Sequence, residues 1–314
     1  MKKSSFILLL TLIFIGCSEN DPDVGLIDHS TPVLRTVTYN TYNVSTNTIN
    51  RTTAYTIHDN KMESSITTNT STSQQVNSTY NYSNNRISKI STFKDGNLSS
   101  QQDFSYDGND NLTEYLQESI HPTTQQSFFN QHMFTHTTDT IFSEWKQSSD
   151  GNNFNTIATF KIVLDNNSNR TYLEENHVIN NEIRVKTNNY DANNNLVTEN
   201  TYIKDATNTL VNLQSTSITH ETSLNLLSLV YQNTYGKENL ILLYHLQSNA
   251  LNNFNSKTIS NNSLKTFDTN AVGNAGITFE FVNETGANNY DYLNDYRTYV
   301  NGVLLSRFTV EFIE

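Results

Sequence analysis

The chain has 314 residues, of which 35% are hydrophobic and 16% charged, and its net charge is −12. That acidic balance disfavours nucleic acid and anionic membrane surfaces as partners, and the scattered Lys and Arg residues form no basic stripe. With 17 Tyr and 16 Phe against three Pro and ten Gly, it carries more aromatic surface than a disordered linker of equally low hydrophobicity. The one cysteine, Cys17, excludes an intrachain disulfide and a thiol-rich metal site.

Residues 1–16 join Lys2-Lys3 to the apolar run Phe6–Ile15, the basic and apolar regions of a signal peptide. Their end, Phe14-Ile15-Gly16-Cys17, resembles the bacterial lipobox. By that resemblance Cys17 becomes the acylated N-terminus, and two or more acyl chains anchor a protein stably to a membrane. Residues 17–32 then form an acidic tether. Its Ser18-Glu19-Asn20-Asp21-Pro22-Asp23 resembles the surface-export signal of Bacteroidetes lipoproteins, which implies display on the outer membrane; the alternative is retention at the periplasmic face.

Residues 33–314 read as a single β-hairpin-repeat domain. Val33–Thr48 is rich in β-branched and aromatic residues and opens the sheet. A unit then recurs: an aromatic or aliphatic residue, Asp/Asn-rich turn residues, then a basic or polar residue and an aliphatic. It appears at Ile57–Met62, Tyr82–Ile87, Tyr106–Leu112, Leu164–Arg170 and Tyr190–Leu196, with starts about 24 to 26 residues apart within each group. Asn and Asp accept positive φ at small cost, which tight hairpins require. Asp95-Gly96 and Asn301-Gly302 are strong hairpin signals of a second type. Alternation is clean in Gln101–Tyr106. In Ile87–Phe93, strict alternation puts Ile87 and Phe93 on one face and Ile90 on the other. Mixed faces of this kind suit a curved sheet wetted on both sides. One segment, Lys237–Leu251, spaces Leu240, Leu243, Tyr244 and Leu251 as on a helix, so a short helix or irregular plug is expected near 237–251, with a buried strand over Leu240–Leu246 as the competing reading.

The pattern Tyr-Asp-x-x-Gly/Asn-x-Leu followed by Asp/Asn-Gly-x-Leu is similar to the YD repeats of RHS-type proteins. Together with Tyr231, Tyr235–Leu243 and the closing Phe279-Glu-Phe, Tyr299–Leu305 and Phe308–Phe312, it resembles Bacteroidetes lipoproteins of unknown function with a porin-like fold. The resemblance implies an all-β fold: an antiparallel meander of consecutive hairpins forming one large curved sheet or barrel-like shell. It implies a cell-envelope location and no activity.

Candidate chemistry is sparse. His132 and His136 are four apart, but in a Thr- and Phe-rich segment that reads as a strand, without the Glu of a metalloprotease motif. Asp107–Asn111 and Asp165–Asn169 offer oxygen ligands for Ca²⁺, yet neither matches an EF-hand, and turn geometry explains both. Trp145 is either a carbohydrate-stacking platform or packing. No nucleophile elbow, phosphate loop or dinucleotide fingerprint occurs. The sequence therefore predicts a lipid-anchored, non-enzymatic binding or scaffolding protein with no catalytic, metal or cofactor residues. Its expected partners are the membrane, through the anchor, and a glycan or another envelope protein. The alternative is a secreted polysaccharide hydrolase using paired carboxylates.

Overall fold

The computed structural model describes residues 34–246, 260–271, 277–285, 291–300 and 303–313. Cys17, the leader and the tether fall outside them, as do residues 247–251 of the expected plug and the Asn301-Gly302 turn.

The described residues form a meander of 18 strands. In order they are β1 Thr36–Asn43, β2 Thr48–His58, β3 Lys61–Asn69, β4 Gln75–Ser83, β5 Arg86–Lys94, β6 Asn97–Tyr106, β7 Leu112–Ile120, β8 Ser127–His136 and β9 Thr140–Ser148. There follow β10 Asn155–Leu164, β11 Arg170–His177, β12 Glu182–Tyr190, β13 Leu196–Lys204 and β14 Leu210–Leu224, then helices α1 Leu226–Tyr235 and α2 Lys237–Leu246. The last strands are β15 Asn262–Ala271, β16 Ile277–Thr285, β17 Asp291–Val300 and β18 Val303–Ile313. Each strand pairs antiparallel with its neighbours in sequence, and β1 also pairs with β18, so the pairing runs full circle into a barrel-like shell.

The turns of the recurring unit sit at one rim, and Asp95-Gly96, between β5 and β6, at the other. Asp59-Asn60 and Asn84-Asn85 have positive φ at both positions (51° and 57°, 49° and 65°), the geometry of a two-residue hairpin turn whose twist matches the strands. The longer turns are stapled by their first residue. The Asp107 carboxylate accepts the N–H groups of Asn109 and Asn111 and the Asn111 side-chain amide. Asp165 and Asp191 repeat this wiring with Asn167 and Asn169, and with Asn193 and Asn195. Asn is therefore the working substitute for Gly, supplying both the left-handed backbone and the cross-turn donor.

A β-bulge after each such turn corrects the expected strand faces. Tyr80 pairs with Ile90 and Tyr82 with Ile87, which leaves Ser88 as the extra residue. The bulge turns Ile87 and Ile90 to the same inner face, where both are buried, and sends Phe93 outward, opposite to strict alternation. Register shifts single out Glu63, Thr113, Thr171 and Val197 in the same way. At three bulges a hydroxyl reaches back across the ladder: Ser88 Oγ to Asn81 O, Thr113 Oγ1 to Ser105 O and Thr171 Oγ1 to Val163 O.

Both helices plug the shell, as the expected helix near 237–251 partly anticipated. Leu242 and Leu243 pack with Ile87, Phe104, Phe134, Ile162 and Leu173. Leu226, Leu227 and Val230 pack with Val37, Ile57, Met62 and Val310, and Leu240 and Ile241 with Leu196 and Ile218. The outer face carries ion pairs, Lys89–Asp103 at 3.2 Å, Glu144–Lys146 at 2.9 Å and Glu174–Lys204 at 2.6 Å, alongside exposed Met133 and Phe142. An α1 start was not legible as such, although Asn225 caps it by accepting the Ser228 N–H.

Candidate functional site

The Asp/Asn-rich rim and the helix pair meet in a groove of about 630 Å³. Its outer wall is formed by Lys61, Asn84–Arg86 and Asn109–Asn111 from three successive turns; its inner wall is Gln232–Asn239, the junction of α1 and α2. Gly236 permits the junction, since its φ of 80° is left-handed and Asn239 Nδ2 lies 3.4 Å from where a Cβ would stand.

Below the groove, five hairpins place a ring near the end of one strand against the backbone that opens the strand before it. Tyr82 Oη donates to Met62 O, Tyr106 Oη to Ile87 O and Tyr190 Oη to Arg170 O. At two rungs the ring is imidazole instead: His136 Nε2 lies 2.8 Å from Leu112 O and His220 Nε2 lies 2.9 Å from Leu196 O. Burial pushes the Tyr82 and Tyr106 phenols up to about 12. The helices bolt to this ladder through Thr234 Oγ1, which accepts Met62 N–H, and Lys237 Nζ, which donates to Asn167 O.

The basic residue that follows each tight turn is a clasp. Lys61 Nζ donates to Asn85 O at 3.1 Å and also to Asn85 Oδ1, and Arg86 reaches Asp110 Oδ2 at 2.7 Å. Each clasp lies on a ring of the ladder, Lys61 5.6 Å from the Tyr82 centroid and Arg86 5.3 Å from that of Tyr106. Glu238 is engaged by His136 at 3.3 Å. Within the groove Arg86 and Asp110 form an ion pair, while Lys61 and Lys237 donate to neutral oxygens of Asn85 and Asn167. The exposed side-chain amides of Asn84, Asn109 and Asn233 face the groove and bond to no other described residue. Beside its charged residues, the groove presents neutral amides to a ligand, each both donor and acceptor.

The other residues singled out in the sequence serve the fold. His132 and His136 do lie on one face of β8, but they are not brought together as ligands. His132 is 3% exposed and stacks on Trp145 at 5.8 Å with planes 7° apart, and burial drives its imidazole down to about 3. Trp145 is half-buried, with Nε1 donating to Asn130 Oδ1 at 3.2 Å. The Asp107 and Asp165 oxygens already accept turn N–H groups, and those bonds from Asn111 and Asn109 hold the Asp107 carboxyl below its ordinary range. Among the described residues no group of three or more His, Cys, Asp or Glu is placed to hold a metal, and no helix is long and apolar enough to cross a membrane.

Sequence reasoning missed two features. Buried carboxylates Glu175 and Glu199 face inward from β11 and β13, but Glu199 is held by Arg170 at 3.2 Å and Lys186 at 3.5 Å, and Glu175 by His177 at 2.7 Å. A second groove of about 470 Å³ lies on the outer face of β8–β11, beside exposed Met133 and Phe142. Nothing in the repeat marks either one.

No family model matches the chain, and no curated protein matches it. Among solved structures it is similar to a porin-like protein from Bacteroides uniformis ATCC 8492, at 10% identity over 90% of this chain and 99% of that chain, with a TM-score of 0.33. A porin-like protein from Bacteroides vulgatus ATCC 8482 is also 10% identical, over 88% and 97% of the two chains, with a TM-score of 0.31. Kievitone hydratase from Nectria haematococca gives 10% identity over 91% of each chain and a TM-score of 0.21. Likenesses at this level add no argument about what the chain does.

Proposed function

We propose that the chain is a lipid-anchored protein of the bacterial cell envelope, held to the outer membrane through Cys17 and displayed at the cell surface, and that its rim groove binds a neutral glycan without catalysing a reaction. The observation that carries this reading is the groove itself: about 630 Å³, lined by seven Asn and Gln side chains, with Arg86 and Asp110 paired across it and Lys61 and Lys237 turned to neutral oxygens. Hydroxyl-rich sugars are recognised by amides that both donate and accept, with no need for net charge. An anionic ligand would have to displace the Arg86–Asp110 pair or compete with the oxygens of Asn85 and Asn167 for Lys61 and Lys237.

Two alternatives fare worse on the same residues. A hydrolase needs an acid and a base free to exchange protons with substrate, whereas the groove carboxylates Asp110 and Glu238 are each bound by a basic side chain. An outer-membrane pore needs an unbroken apolar band facing lipid, and the outer face carries the ion pairs Lys89–Asp103, Glu144–Lys146 and Glu174–Lys204.

A glycan array probed with the full chain tests the proposal. Retention of neutral oligosaccharides that is lost when Asn84, Asn109 and Asn233 are changed to Ala supports it. An array without binders, or binders indifferent to the triple substitution, overturns it.

A further inference from the structure

The ring ladder beneath the groove holds tyrosine at three rungs and histidine at positions 136 and 220, and His136 is a rung that reaches α2. Its Nε2 lies 2.8 Å from Leu112 O, while Nδ1 lies 3.3 Å from Glu238 Oε1, in the first turn of α2. Both neighbours are acceptors. A neutral imidazole has one N–H and can serve only one of them; its bare nitrogen would then face a lone pair or a carboxylate. Only the imidazolium donates to both. A tyrosine at this rung, as at Tyr82 and Tyr106, would reach the backbone carbonyl in every protonation state near neutrality.

We infer that His136 is a proton-dependent latch that ties α2 to the β7–β8 wall through Glu238 when protonated and releases it when neutral. The charged groups that face the ring are Glu238 from α2 and Asp107 from the β6–β7 turn, both acidic and both favouring the cation. The nearby bases are directed elsewhere, Arg86 to Asp110 and Lys237 to Asn167 O. The bond to Glu238, opposed by burial and helped by Leu112 O and Asp107, raises the imidazole above its ordinary value. A raised value in the folded state means that the latch contributes fully below the unfolded-state titration, about 6.5, and is lost as pH climbs through the folded-state one. Glu238 lines the rim groove, so release of α2 alters that groove's inner wall. This last step rests on the reading of the groove as a binding site; the latch itself does not.

Hydrogen exchange of the full chain, with no ligand present, tests the latch directly. Protection of α2, corrected for the intrinsic pH dependence of exchange, should fall roughly tenfold between pH 5.5 and pH 8, the weight of one charge-assisted bond. His136→Tyr, whose single O–H goes to Leu112 O and leaves Glu238 unheld, should abolish the pH dependence and leave α2 weakly protected at both pH values. Glu238→Gln, which leaves the wall intact, should hold α2 at the weakly protected level at both pH values. Protection that is flat with pH in the unmodified chain, or that still falls with pH in His136→Tyr and Glu238→Gln, overturns the inference.

Discussion

Replacing Asp295 with Asn should loosen the seam where the last strands meet the first. Asp295 is 2% exposed and accepts Arg307 Nε at 3.1 Å and Nη2 at 2.9 Å, together with Arg297 Nη2 at 2.7 Å. Arg307 in turn donates to Asn47 Oδ1 and lies 4.6 Å from the Tyr42 ring centroid, while Tyr42 Oη is 3.4 Å from Thr309 Oγ1. One carboxylate therefore organises β17, β18 and β1. Removing one partner of a fully buried ion pair costs about 3–5 kcal/mol. Here the guanidinium groups can rehydrate, since the Arg297 and Arg307 side chains are 33% and 24% exposed, and the discounted loss is about 2 kcal/mol. Urea denaturation at pH 7 reads this as a lower midpoint at unchanged slope. Burial pushes the Asp295 carboxyl up, but the bonds from Arg307 and Arg297 outweigh it and hold the group below its ordinary value. Its contribution is therefore present above the unfolded-state titration near ~3.9 and vanishes as pH falls through the lower folded-state one, so the two proteins should converge in acid. A difference below about 0.5 kcal/mol at pH 7, or one that persists in acid, would refute the clasp.

Other consequences follow from single residues. Leu242, 0% exposed among the strands of the largest cluster, should cost about 2–5 kcal/mol when cut to Ala, read as a fall in thermal midpoint; a loss under 1 kcal/mol would mean that α2 is not part of the core. Tyr106→Phe removes only the bond to Ile87 O and should cost about 1 kcal/mol in urea denaturation. Gly236→Ala should cost about 1 kcal/mol or more through its left-handed backbone, with α2 fraying detectable by circular dichroism. In alkaline titration followed by phenolate absorbance, Tyr82 and Tyr106 should resist ionisation until about pH 12, and Tyr80 and Tyr115 beyond that, so the late class should appear together with unfolding.

The turns were the legible part of this fold. Asp and Asn clusters at fixed spacing mark the hairpins because positive φ and cross-turn capping leave few other choices. The bulges were not legible: a Ser or Thr beside the strand's first aliphatic, as at Ser88 and Thr113, reads as ordinary alternation until the partner strand shows it to be unpaired. For that reason Ile87 and Ile90 looked opposed when they share the core. Helix α2 could be seen in its leucine spacing, while α1 hid behind a polar face of Ser228, Gln232 and Asn233. The groove was half-visible. Its amides are the turn residues themselves, but its second wall comes from a junction more than a hundred residues away, and no local pattern reports that distance. The basic residue of the repeat was noted without its role, which is to clasp the next turn.

Amide chemical-shift mapping on addition of a neutral oligosaccharide retained by the array tests the central claim most directly. The account predicts shifts confined to residues 84–86, 109–111 and 232–239, saturating together. Shifts centred on the outer face around Met133 and Phe142, or none at the rim, would contradict it.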